Sequence, residues 1–219
     1  MNKIVYHSLL ISVIFQIITG LIEASALFFT VSPKYEILKQ LMLLEVIVQF
    51  VEGSFYTYWL YNFKRISNIT PSRYFDWSIT TPTMLINLIF YLIFLQANTN
   101  LDFFSVFKQE FSTIIVVLVL NWLMLLLGYL GEISKIPVNI GVPLGFVPFI
   151  LYFYIIYEKY AITTEGLQIF YYFFIFWSLY GVAALMPYKI KSVCYNILDL
   201  FSKNFFGIFL FYLLYTNQQ

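Results

Sequence analysis

A lysine in the middle of an apolar span is the first residue of this chain that calls for a chemical reason. It is Lys203, within Leu198-Asp199-Leu200-Phe201-Ser202-Lys203-Asn204-Phe205-Phe206-Gly207. A charge at such a depth is expensive to place and marks a functional site by default. Three chemistries suit the amine: an ion pair with Asp199 as structural glue, capture of an anionic substrate, or a Schiff base with an aldehyde. Desolvation in an apolar pocket makes an amine a better imine former. The resulting cation needs a counterion, and Asp199 at i−4 lies on the same helix face. A second acid sits in Ser72-Arg73-Tyr74-Phe75-Asp76-Trp77-Ser78-Ile79-Thr80-Thr81-Pro82. Arg73 and Asp76, three apart, share a face that continues to Thr80 and Asn87, and Pro82 frees a backbone carbonyl that a threonine can satisfy.

Two further stripes carry polar groups. Ser8, Ser12, Gln16, Thr19 and Glu23 fall at i, i+4, i+8, i+11 and i+15, which is one face of a helix. Glu45, Gln49 and Glu52 repeat the pattern at i, i+4 and i+7. In lipid these faces must turn inward, either as hydrogen-bonded glue between helices or as the wall of a water-filled path. Two glutamates with no basic neighbour in sequence favour the path.

The elements that hold these residues follow from composition. Of the 219 residues 61% are hydrophobic, 22% aromatic and only 11% charged, and the mean hydropathy is +0.83. That is a polytopic membrane protein in contact with a lipid bilayer. A net charge of +1 gives no basic face for nucleic acid. One cysteine, Cys194, and one histidine, His7, exclude a disulfide within the chain and a cysteine or histidine metal centre. Breaks in hydrophobicity predict one all-α domain over 1–219, with seven spans at about 4–30, 36–62, 71–95, 110–131, 137–158, 164–187 and 191–216. Lys3, an apolar run and Ala24-Ser25-Ala26 mimic a signal peptide, but the run is long and carries the ordered stripe, so it reads as a retained first helix. Asn68-Ile69-Thr70 is a glycosylation sequon, relevant only if its loop faces outward.

Three of these segments carry a family resemblance. Arg73-Tyr74-x-Asp76-Trp77-x-x-Thr80-Thr81-Pro82 resembles the third-helix signature of microbial rhodopsins. Asp199-x-x-x-Lys203 with Phe206-Gly207 resembles their seventh helix, and Trp177-x-x-Tyr180 resembles an aromatic pair of the sixth. The resemblance implies a seven-helix bundle with all-trans retinal bound to Lys203 as a protonated Schiff base. Asp76 and Asp199 would be its counterions, with Arg73 balancing them. Trp77, Thr80, Thr81, Trp177 and Tyr180 would line the chromophore, and the protein would be a photoreceptor or transporter rather than an enzyme.

Departures from the pattern narrow the function. Asn87 stands where outward proton pumps resembling this chain keep a carboxylate donor, and asparagine cannot titrate. The turn Met186-Pro187-Tyr188-Lys189-Ile190-Lys191 holds no acid. Gly181 replaces a usual proline and Ala184 a usual tryptophan. Acids along the second helix resemble green-algal channelrhodopsins, and the short chain is most similar to viral rhodopsins of giant viruses. The expected function is therefore a light-gated cation channel, with a slow outward proton pump or a photosensor as alternatives. Its path would use Ser8, Ser12, Gln16, Glu23, Glu45, Gln49, Glu52, Asn196 and Asn204 for monovalent cations. Calcium is expected to bind and obstruct it, and a homo-oligomer stays open. The resemblance puts the N-terminus outside. The loop charges lean the other way, with Lys34, Lys39, Lys108 and Lys159 inside against Lys3, Lys64, Arg65, Lys135, Lys189 and Lys191 outside.

Overall fold

The computed structural model describes residues 3–219, all built on helices and short turns. Seven helices follow one another: α1 Lys3–Ala26, α2 Glu36–Tyr61, α3 Thr70–Gln96, α4 Phe103–Glu132, α5 Val138–Tyr160, α6 Thr164–Ala184 and α7 Tyr188–Thr216. Six of them are long and apolar enough to cross a membrane. The exception is α2, whose 26 residues include Glu36, Lys39, Glu45 and Glu52. Its length suffices for a bilayer, and its charges are what depress its hydropathy.

Several ends depart from the expected spans for local reasons. α1 stops at Ala26 rather than near 30, and the chain reaches α2 through a short 3₁₀ turn, Pro33–Tyr35. α4 begins at Phe103 rather than 110, because the Asp102 side chain accepts from the Ser105 amide at 2.8 Å and caps it. α6 ends at Ala184 rather than 187, and α7 starts at Tyr188 rather than 191, directly after Pro187.

Burial follows the stripes read from sequence. On α1, Ser12, Gln16, Thr19 and Glu23 are buried and Ser8 is half-buried, while Ile11, Ile14, Phe15, Ile17, Ile18 and Leu21 face outward. The bundle is thus polar inside and apolar outside along this helix, as a lipid solvent requires. Apolar packing dominates elsewhere: Leu85, Leu88, Phe90, Phe149, Tyr152, Phe153 and Phe173 belong to one large core cluster.

Beside the site, α3 and α7 interrupt their hydrogen-bond ladders. Pro82 leaves the Ser78 carbonyl without its helical donor. The indole of Trp122 on α4 donates to that carbonyl at 2.9 Å, where a threonine was expected. The Thr80 and Thr81 hydroxyls instead donate to the carbonyls of Asp76 and Trp77, at 3.0 and 2.7 Å. In α7, Leu200–Asn204 widens into a π turn, with the Phe205 amide donating to the Leu200 carbonyl. Tyr172 of α6 donates to the Phe201 carbonyl at 2.5 Å and so pins the bulge from outside.

Just beyond the bulge, α1 comes against the backbone of α7. A Cβ on Gly207 would collide with the Glu23 carboxylate, itself held by Gln49 Nε2 at 3.3 Å. Gly207→Ala should therefore destabilise the protein by about 1–3 kcal/mol through overpacking. In thermal unfolding, adding Glu23→Ala should return part of that loss. Equal melting of Gly207→Ala and the parent would show that this close approach is absent.

Candidate functional site

The site forms where the middle of α7 meets α2 and α3. Lys203 Nζ lies 3.1 Å from Glu52 Oε1, 3.2 Å from Asp76 Oδ2 and 3.6 Å from Asp199 Oδ1, and all four side chains are buried. Asp76 and Asp199 were both expected beside the lysine. Glu52 was placed by sequence only on a polar path, and the structure adds it as a third carboxylate on the amine.

The three acids differ in how they are held. Asp199 is saturated: Tyr56 donates to Oδ2, Tyr180 to Oδ1 at 2.6 Å, and Arg73 Nη1 to Oδ2 at 3.2 Å. Asp76 accepts from Lys203, and its Oδ1 has no donor. Glu52 has the shortest approach to Nζ but lies off the hydrogen-bonding direction, so neither of its oxygens has a donor. Around one ammonium and one guanidinium stand three carboxylates, a formal excess of one negative charge in a low-dielectric interior.

Arg73 closes one side of the cluster. Nη1 also donates to Tyr56 Oη at 2.7 Å, and Nη2 donates to Asn196 Oδ1. Its guanidinium packs on the rings of Trp59, Tyr56 and Tyr195 at 4.9, 5.1 and 5.7 Å, the planar stacking that arginine allows and lysine does not. Asn196 donates in turn to Ser8 Oγ at 2.9 Å, and Ser12 donates to the Asn196 carbonyl at 3.2 Å.

On the other side of Lys203 the remaining path residues gather. Asn204 Nδ2 reaches Gln49 Oε1 at 3.5 Å, and Gln49 donates to Glu23. Asn87 Nδ2 donates to Glu45 Oε1 at 2.6 Å. Gln16 is buried with neither amide atom partnered. All of the sequence-selected polar residues therefore converge on one seam between α1, α2, α3 and α7.

From Lys203 a cavity, part of it open to the outside, runs between α3 and α6 toward α4 and α5. Its walls include Trp77, Thr81, Trp177 and Tyr180, as expected, together with Gly181 and Ala184. Thr80 is fully buried beside them, its hydroxyl donating to the Asp76 carbonyl. An apolar, aromatic slot with one amine at its end, faced by acids, fits an extended apolar aldehyde.

Sequence reasoning missed several participants. Tyr56 continues the α2 stripe at i+4 from Glu52, so its spacing could have found it. Asn121, the one side-chain amide in the apolar stretch 111–131 of α4, donates to Thr81 Oγ1 at 2.8 Å, and its isolation was the signal. Lys191 was counted as a loop charge. Instead it is largely buried and paired with Glu132 at 2.7 Å, a contact that spacing cannot reveal.

A family profile described as bacteriorhodopsin-like protein matches residues 4–217. The viral rhodopsin OLPVRII is 31% identical, with 97% of this chain and 98% of that one covered and a TM-score of 0.88. Xanthorhodopsin, described as a light-driven ion pump with dual chromophore, is 18% identical over 99% of this chain and 94% of its own, with a TM-score of 0.78. Exiguobacterium sibiricum rhodopsin is 18% identical over the whole of both chains, with a TM-score of 0.77. These last two likenesses are of fold alone. No curated protein matches the chain. The chain belongs to the bacteriorhodopsin-like family, the microbial and viral rhodopsins, and that membership implies a retinal chromophore held on a lysine.

Proposed function

We propose that the protein is a light-gated cation channel whose chromophore, all-trans retinal, is carried by Lys203 with the N-terminus outside. The observation behind this reading is the set of buried polar atoms left without partners along one seam. Both amide atoms of Gln16, Oε2 of Glu23 and of Glu45, both oxygens of Glu52, and Oδ1 of Asn87 and of Asn204 have none. Buried polar groups otherwise find partners almost without exception, and those that do not are natural sites for water or ions. Side chains lined by acids select cations over anions, and oxygen ligands of this kind also suit calcium as an obstructing ion.

Retinal would supply the absorption of light and a change of shape beside the amine. The chain supplies the gate. Asp76, Asp199 and Glu52 hold the positive charge at Nζ. Arg73, clamped among three rings and tied to Asn196, closes the outer half of the seam. The Glu45–Asn87 and Glu23–Gln49 contacts close the inner half. Displacing charge at Nζ loosens the pairs that join these halves, so water can connect them.

One contact favours the outward proton pump as a second reading. Glu45 Oε1 lies 2.6 Å from Asn87 Nδ2, so the position lacking a titratable group has a carboxyl beside it from α2. That carboxyl could serve as the internal donor which Asn87 cannot be.

Three measurements separate these readings. Purified with all-trans retinal, the parent should show a visible band that Lys203→Ala abolishes; a retained band would remove Lys203 from the site. Whole-cell recording under light should give currents that reverse near the equilibrium potential of the permeant cation, and Glu52→Gln should shrink or reshape them. Current that never reverses sign would favour the pump. In the pump, Glu45→Gln should slow photocycle recovery by about 10²-fold or more, the scale of a lost general acid, whereas in a channel it should chiefly alter conductance.

A further inference from the structure

Away from Lys203 the cavity is walled largely by small residues. It is lined there by Gly181 and Ala184 of α6 and by Gly141, Gly145 and Phe146 of α5. A Cβ on Gly181 would stand 2.5 Å from Phe146 Cε2, so the phenyl ring occupies the place of the missing side chain. A half-buried phenyl ring can rotate away, whereas backbone cannot. Ala184 also lines a second, polar cavity, at the end of the bundle where α3 begins, beside Glu132, Ser134, Lys135 and Lys191. The two spaces thus share Ala184 as a wall. At Gly141, by contrast, α5 is closed against α4: a Cβ there would stand 2.9 Å from the Leu127 carbonyl and 3.0 Å from Ile136 Cδ1.

We propose that this neck makes the site accept retinals whose ring carries a hydroxyl group, with Ala184 and Gly181 as the residues that set the preference. The inference rests on the reading that retinal occupies this cavity. A hydroxyl on the ring of a chromophore sealed in apolar walls is left unpaired, which disfavours its entry. Here the ring end abuts a polar vestibule, so the hydroxyl can keep water or a side-chain partner while the polyene stays among Trp77 and Trp177. Attachment is the same for both chromophores: a C=N bond to Lys203 Nζ replaces the aldehyde C=O, and its oxygen leaves as water.

The test is regeneration of the full chain, prepared without chromophore in nanodiscs, by all-trans retinal and by all-trans 3-hydroxyretinal, following the growth of the visible band. The parent should take both at rates within about twofold, and Ala184→Leu should lower the hydroxylated-to-plain ratio about tenfold or more, since apolar pockets discriminate a methylene by roughly 10–200-fold. Gly181→Ala, which presses on Phe146, should lower the ratio in the same direction and serves if Ala184→Leu does not fold. A parent that takes the hydroxylated chromophore tenfold more slowly than the plain one, or a ratio that neither variant moves, overturns the inference. No band with either chromophore in the parent would overturn the retinal reading itself, and this inference with it.

Discussion

One constraint organises the bundle: an ammonium in the middle of a membrane must be neutralised by groups the protein itself brings there. Lys203 cannot draw on solvent, so α2 and α3 send Glu52 and Asp76, and α7 provides Asp199 from the preceding turn. Assembling three acids creates the opposite problem, and Arg73 answers it from α3. Each ion is bearable only while its partners stay in place, because a buried charge deprived of its partner costs several kcal/mol.

Around that centre the bundle divides by chemistry. The α1–α2–α3–α7 seam is wet in character, with amides and carboxyls in place of packed methyl groups. The α3–α4–α5–α6 side is aromatic and dry, with ring-to-ring contacts running from Phe149 through Phe153, Phe170 and Phe174. Lys203 sits on the boundary, its amine toward the acids and its cavity toward the aromatic side. A group attached there is felt by both halves.

Much of this was legible in the residue order. Period-3.6 stripes placed Ser12, Gln16, Glu23, Glu45, Gln49 and Glu52 on inward faces, because lipid leaves polar side chains nowhere else to go. The three motifs brought Asp76, Asp199, Lys203, Trp77, Trp177 and Tyr180 to one locus. What sequence could not supply was depth and azimuth across helices. Spacing shows that Glu52 points inward; only packing shows that it stops 3.1 Å from the amine rather than a turn away. Lys191 illustrates the same limit, since its mate Glu132 lies in a different helix. The early start of α4 was missed because its first two turns, with Lys108 and Glu110, are too polar to read as membrane span, and the cap at Asp102 belongs to the loop.

The π turn at Leu200–Asn204 makes the length of α7 as constrained as any side chain. An α-helix turns by about 100° per residue, so the surplus residue in the bulge offsets the two halves of α7 by that angle. Asp199 on one side of it faces Arg73 and Tyr56, while Gly207 on the other faces Glu23. Loss of a single residue between them would leave a more regular helix with one of these two meetings facing the wrong way. Gain of one would do the same in the opposite sense. Substitutions can drift through this stretch within the limits of size and charge, but insertions and deletions cannot, and Tyr172 fixes from α6 the place where the surplus residue resides.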